Sequence, residues 1–98
     1  MPETIQNFQE HCVTVLVFNE YGLHARPAAQ LAAEARKYEA DLALVLGETE
    51  VDAKSVLDIL TLAAPKGSSL ILRGRGVDAA DAVRKLSGLF AARFQEEH

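Results

Sequence analysis

Along residues 12–94 the spacing of apolar side chains changes period again and again, and this alternation limits the possible folds more than any other feature. The run CVTVLVF (12–18) is dense in β-branched residues and bounded by the polar NEYG, which marks a strand. Residues 25–38 switch to three-to-four spacing, with Leu31, Ala32, Ala35 and Tyr38 on one stripe, and read as a helix. DLALVLG (41–47) alternates Leu42, Leu44 and Leu46 on one face, and ETEV (48–51) adds a short strand after a tight turn at Gly47. SVLDILTLAA (55–64) is a short helix stopped by Pro65 and Gly67, and SSLILR (68–73) is the last strand. Residues 78–94 form a long amphipathic helix with Val83, Leu86, Phe90 and Phe94 in line.

The order is therefore β-α-β-β-α-β-α. Strands and helices are interspersed with too few residues for doubly wound units. The economical arrangement is α+β, an open-faced sandwich with an antiparallel sheet and all helices on one face. Residues 11–98 make a single domain. Residues 1–10, polar and aperiodic, read as a flexible N-terminal extension.

Composition narrows the function classes. The formal net charge of −4 argues against direct nucleic-acid binding, which needs a basic face. The single cysteine, Cys12, excludes an internal disulfide framework and a multi-cysteine zinc site, and its apolar run makes it a small buried strand residue. The N-terminus has neither the basic nor the apolar region of a signal peptide. No apolar run approaches the ~18 residues of a membrane span. A cytoplasmic protein with no membrane insertion is the expectation.

Chemistry concentrates in YGLHARPAA (21–29), where an apolar strand gives way to an alanine-rich helix. The first turn of a helix has unbonded N–H groups and a partial positive charge, which together attract anions. His24 stands at the cap position, Pro27 sits in the first turn where a missing N–H costs nothing, and Gly22 lets the preceding loop turn tightly. A neutral imidazole at this place can accept a phosphoryl group. The backbone of Ala25, Arg26, Pro27 and Ala28 would then cradle the phosphate, and the Arg26 guanidinium would stabilise its charge. On these grounds alone a surface or capping histidine fits about as well.

GLHARPAA resembles the active-site signature of HPr, the histidine-containing phosphocarrier family of the phosphoenolpyruvate-dependent sugar phosphotransferase system. The similarity continues through DAKSVLDILTLAAPKGSSL and covers roughly residues 12–95. The resemblance implies a four-stranded antiparallel sheet covered on one face by three helices, in a protein that acts as a monomer. It implies that His24 takes a phosphoryl group from enzyme I and passes it to enzyme IIA domains, with Arg26 assisting. The protein is then a stoichiometric carrier rather than an enzyme. The nitrogen-system paralogue NPr shares the histidine motif and is the alternative within the class.

Ser55 followed by Asp58 is a capping-box pattern at a helix start. The resemblance adds that Ser55 matches a serine that HPr kinase/phosphorylase modifies in many bacteria, sometimes creating a corepressor for a transcription regulator. Asp58 departs from Gram-positive versions, which usually have glycine there, and its charge would repel a phosphoserine. The helix over 55–64 is more apolar than one buried face requires, which leaves a patch for a partner. Val56 and Leu57 match family docking positions, although both also fit a core role. Arg36 and Lys37 either rim that surface or complement the helix C-terminus.

Two further signals carry little. GRGVDA resembles half of a dinucleotide fingerprint, but only 19 residues follow Ala79, so no βαβ unit closes and Gly74 and Gly76 read as loop residues. His11 and His98 share no ligand spacing with His24, so neither metal nor cofactor is expected. Outside the carrier class stand a regulatory binding module using the helix 55–64 patch without phosphate and a small acyl-phosphate hydrolase.

Overall fold

The computed structural model describes residues 10–95. The elements run β1 (Glu10–Leu16), α1 (Ala25–Ala35), β2 (Asp41–Leu46), β3 (Thr49–Asp52), α2 (Val56–Thr61), β4 (Ser69–Arg75) and α3 (Ala79–Ala91), followed by a terminal turn, Arg93–Gln95. The four strands form one sheet in the order β1-β4-β2-β3, and every neighbouring pair is antiparallel. The fold class is the α+β open-faced sandwich expected from the alternating periods.

Register decides which face is core. Val15, Leu42, Leu44, Val51, Leu70 and Leu72 all point to the helix side and are buried. Thr14, paired with Ile71, and Cys12, paired with Arg73, lie on the open side. Cys12 is thus exposed, against the expectation of a buried strand residue. Thr14, two residues on, is the one polar residue of that apolar run and marks the same face. The Cys12 thiol is held above the ordinary 9.0 by partial desolvation and by the Glu10 carboxylate, which accepts its hydrogen bond at 3.7 Å. Arg73 pairs on the same face with Glu50 of β3 and, at 4.0 Å, with Glu10 of β1.

The helices cover the other side. Ala28, Ala32 and Ala35 are fully buried and, having little bulk, let α1 pack close to α2 and α3. Gly74 serves close approach as well. A Cβ there would meet Val83 Cγ2 at 2.8 Å, so Gly74 is a buried strand residue under α3, not the loop residue its motif suggested. The apolar stripe Val83, Leu86, Phe90 and Phe94 is buried throughout. Phe94 reaches the core from beyond the helix: α3 stops at Ala91, and Arg93, Phe94 and Gln95 take φ of 55°, 53° and 58°. Phe94 then packs edge-on against Phe90, with ring centroids 5.0 Å apart.

Several boundaries differ from those read in the sequence. β1 begins at Glu10 and so takes one residue from the expected extension, whose first nine residues lie outside the described region. α1 ends at Ala35, because Lys37 and Tyr38 donate to the carbonyls three residues back, a tightened turn that leaves Tyr38 beyond the helix. β4 runs on to Arg75. No helix among the described residues is long and apolar enough to cross a membrane.

Candidate functional site

The site is built where β1 leaves the sheet. Val17 is clasped to the β4 approach by bonds from its N–H to Ser68 O (2.9 Å) and from Gly67 N–H to its carbonyl (2.7 Å). The chain then turns through residues 19–22, closed by Gly22 N–H donating to Asn19 O at 3.0 Å. Asn19, 2% exposed, donates its Nδ2 to Arg93 O at 2.8 Å and so ties this turn to the terminal turn that follows α3. Leu23, buried, donates its N–H to Ala64 O at 2.9 Å. The loop before α1 is therefore pinned to the segment after α2.

His24 follows as the N-cap of α1, extended at φ −81° and ψ −170°, with no side-chain capping bond. Its carbonyl accepts the first helical bond, from Ala28 N–H at 3.0 Å. That bond narrows the expected cradle of residues 25–28. Pro27 has no N–H and Ala28 has spent its own, so Ala25 and Arg26 supply the N–H groups that face outward. Neither forms a hydrogen bond with another described residue. The Arg26 side chain is exposed one position further into the turn.

Tyr21 and His24 wall a groove of about 340 Å³ floored by Leu60, Ala63, Ala64 and Pro65. The two rings meet edge to face, with centroids 5.9 Å apart and planes at 88°. Tyr21 and residues 63–65 join the site without having been candidates for it in the sequence. An aromatic three residues before a histidine was the available signal for Tyr21. Nothing in the sequence marked Ala63, whose φ of 48° would suit glycine.

Ser55 caps α2, its Oγ accepting from Asp58 N–H at 3.2 Å. Only half of the expected capping box forms, because the Ser55 N–H donates instead to Asp52 O at 3.1 Å. Val56 is half-buried against the core, while Leu57 is 75% exposed, so the candidate apolar patch centres on Leu57. Arg36 and Lys37 lie away from His24, and Arg36 sits beside the start of α2. They stand at the far end of α1, about 18–20 Å along its axis from His24. Arg36 Nε donates to Lys54 O at 2.9 Å and Lys37 pairs with Glu34 at 3.1 Å, contacts that hold the α1 terminus in place.

The chain is thus a small open-faced α+β sandwich with a histidine at the N-cap of its first helix, beside an arginine and two outward N–H groups. Comparison with known proteins makes this description specific. The family model for the PTS HPr component phosphorylation site matches residues 12–92. Phosphocarrier protein NPr of Shewanella violacea is 39% identical over 82 residues, 84% of this chain and 90% of that protein. Phosphocarrier protein HPr of Treponema pallidum is 38% identical over 84 residues, 86% of this chain and 96% of that one. The crystal structure of HPr-C-His from Thermoanaerobacter tengcongensis matches with a TM-score of 0.86 at 33% identity, over 90% of this chain and 99% of that one. The chain belongs to the HPr family of phosphocarrier proteins. Members of that family carry a group within the phosphotransferase system and are not catalytic enzymes in themselves.

Proposed function

We propose that this chain accepts a phosphoryl group on His24 from phosphorylated enzyme I and hands it to an enzyme IIA domain, as a stoichiometric cytoplasmic carrier. The observation that carries the reading is the seat of His24 at the α1 N-terminus, next to the outward N–H groups of Ala25 and Arg26. In the transfer, a ring-nitrogen lone pair of His24 attacks phosphorus in line with the donor bond. A new P–N bond forms while the bond to the donor breaks, its electron pair staying with the donor. The two N–H groups and the Arg26 guanidinium offset charge on the phosphoryl oxygens, the main task of a protein in phosphoryl transfer. The return step is the same reaction with His24 as the leaving group. Leu57, exposed on α2, supplies apolar contact to the partner.

The near-equal identities to an NPr and an HPr leave two branches, sugar uptake and nitrogen-system regulation. A reconstituted relay tests the reading and separates them: phosphoenolpyruvate, an enzyme I and an enzyme IIA from each system, with and without this chain. Phosphoryl groups reaching IIA only when the chain is present, and not with His24→Ala, support the carrier. The faster set names the branch. Partner binding that survives His24→Ala with no phosphoryl passed in either set would instead fit the regulatory module.

A further inference from the structure

An imidazole turns about two side-chain bonds, and in-line transfer requires its nitrogen to be held on the line of attack. Tyr21 is placed to do this. Its ring meets that of His24 edge to face, at 5.9 Å between centroids and 88° between planes, an arrangement with a preferred geometry. The backbone beneath Tyr21 is fixed on both sides. Before it, the buried Asn19 side chain donates to Arg93 O at 2.8 Å. After it, Gly22 N–H bonds to Asn19 O at 3.0 Å and Leu23 N–H to Ala64 O at 2.9 Å. Tyr21 is 79% exposed, so its ring contributes little to the core, and the same ring forms one wall of the groove beside His24.

We propose that Tyr21 is a positioning residue, whose ring sets the orientation of the His24 imidazole for phosphoryl transfer. This role rests on the carrier reading above. The ring contact is what matters, so phenylalanine preserves it, whereas leucine, of similar bulk but without a π face, does not. Loss of one aromatic pair corresponds to about a twofold to tenfold loss of rate.

The test compares wild type, Tyr21→Phe and Tyr21→Leu in two measurements. The first is the chemical shift of the His24 ring protons, which feel the ring current of a neighbouring aromatic. The second is the steady-state kcat and KM for each chain as the phosphoryl acceptor of enzyme I. Tyr21→Leu is expected to lose the ring-current shift and to lower kcat about twofold to tenfold with little change in KM, and Tyr21→Phe to restore both. A leucine variant with wild-type kcat, or a phenylalanine variant as impaired as leucine, overturns the positioning role and leaves the carrier reading standing. If wild type accepts no phosphoryl group, the carrier reading itself fails and this role falls with it.

Discussion

The N–H of Leu23 and the carbonyl of Ala64 are joined at 2.9 Å, and this bond fixes the distance between the loop ahead of α1 and the segment that follows α2. It dictates the residue beside it. Gly22 adopts φ +70°, and a Cβ added there would collide with Ala64 O and lie 2.9 Å from Pro65 Cα. The glycine two residues before His24 is thus demanded by both conformation and space.

Gly22→Ala should therefore cost about 2–4 kcal/mol in stability, since either the Leu23–Ala64 bond opens or two backbones move apart. Urea unfolding measures the loss. Phosphoryl acceptance should fall further than the folded fraction does, because the displaced loop carries His24.

Ala63 presents the opposite case on the same groove. It holds φ 48° with an alanine side chain, in a region that costs a non-glycine residue about 1–2 kcal/mol. Ala63→Gly should raise the urea midpoint by the equivalent of about 1 kcal/mol with an unchanged slope. An unchanged or lower midpoint would show that the strain is relieved elsewhere.

Ser55 is already occupied as the cap of α2, and Asp58 sits in that helix's first turn. Ser55→Ala should cost about 1 kcal/mol. A phosphoryl group there would give up the cap and meet the Asp58 carboxylate, so a cognate kinase should label wild type slowly and Asp58→Gly faster. Rapid, complete labelling of wild type contradicts this.

Asp78 stitches the start of α3 to the approach of β2, accepting from Glu39 N–H at 2.9 Å and Ala40 N–H at 2.8 Å. The Glu39 bond is the main cause, with Ala40 adding to it, of a carboxyl held below its ordinary 3.8. A depressed carboxyl stabilises the fold above its unfolded-state pKa and loses that contribution as pH falls through the folded-state value. The Tm difference between wild type and Asp78→Ala should be constant from pH 7 to about pH 5 and shrink below pH 3.8.

The order of elements was legible because each has its own apolar period, and so was the placement of His24, because a cap is a local event. What escaped depended on contacts distant in sequence. Arg36 read equally as a partner-facing rim or a helix-terminus partner, and its bond to Lys54 O joins residues 18 apart that no local pattern links. Phe94 looked helical, yet it enters the core through a left-handed turn that no periodicity encodes. The open face of Cys12 is marked in its run by Thr14 alone, two residues on, a weak signal among so many apolar neighbours. The Ala28 N–H, four residues after the cap, bonds to the cap's carbonyl, a consequence of helix geometry that holds wherever the cap falls.

The central claim is most directly tested by intact mass after incubation with phosphoenolpyruvate and enzyme I, wild type beside His24→Ala. The account predicts one acid-labile phosphoryl group on wild type and none on the variant. A phosphoryl group on the variant, or none on wild type from sugar- and nitrogen-system enzyme I preparations that phosphorylate their own carriers, would contradict it.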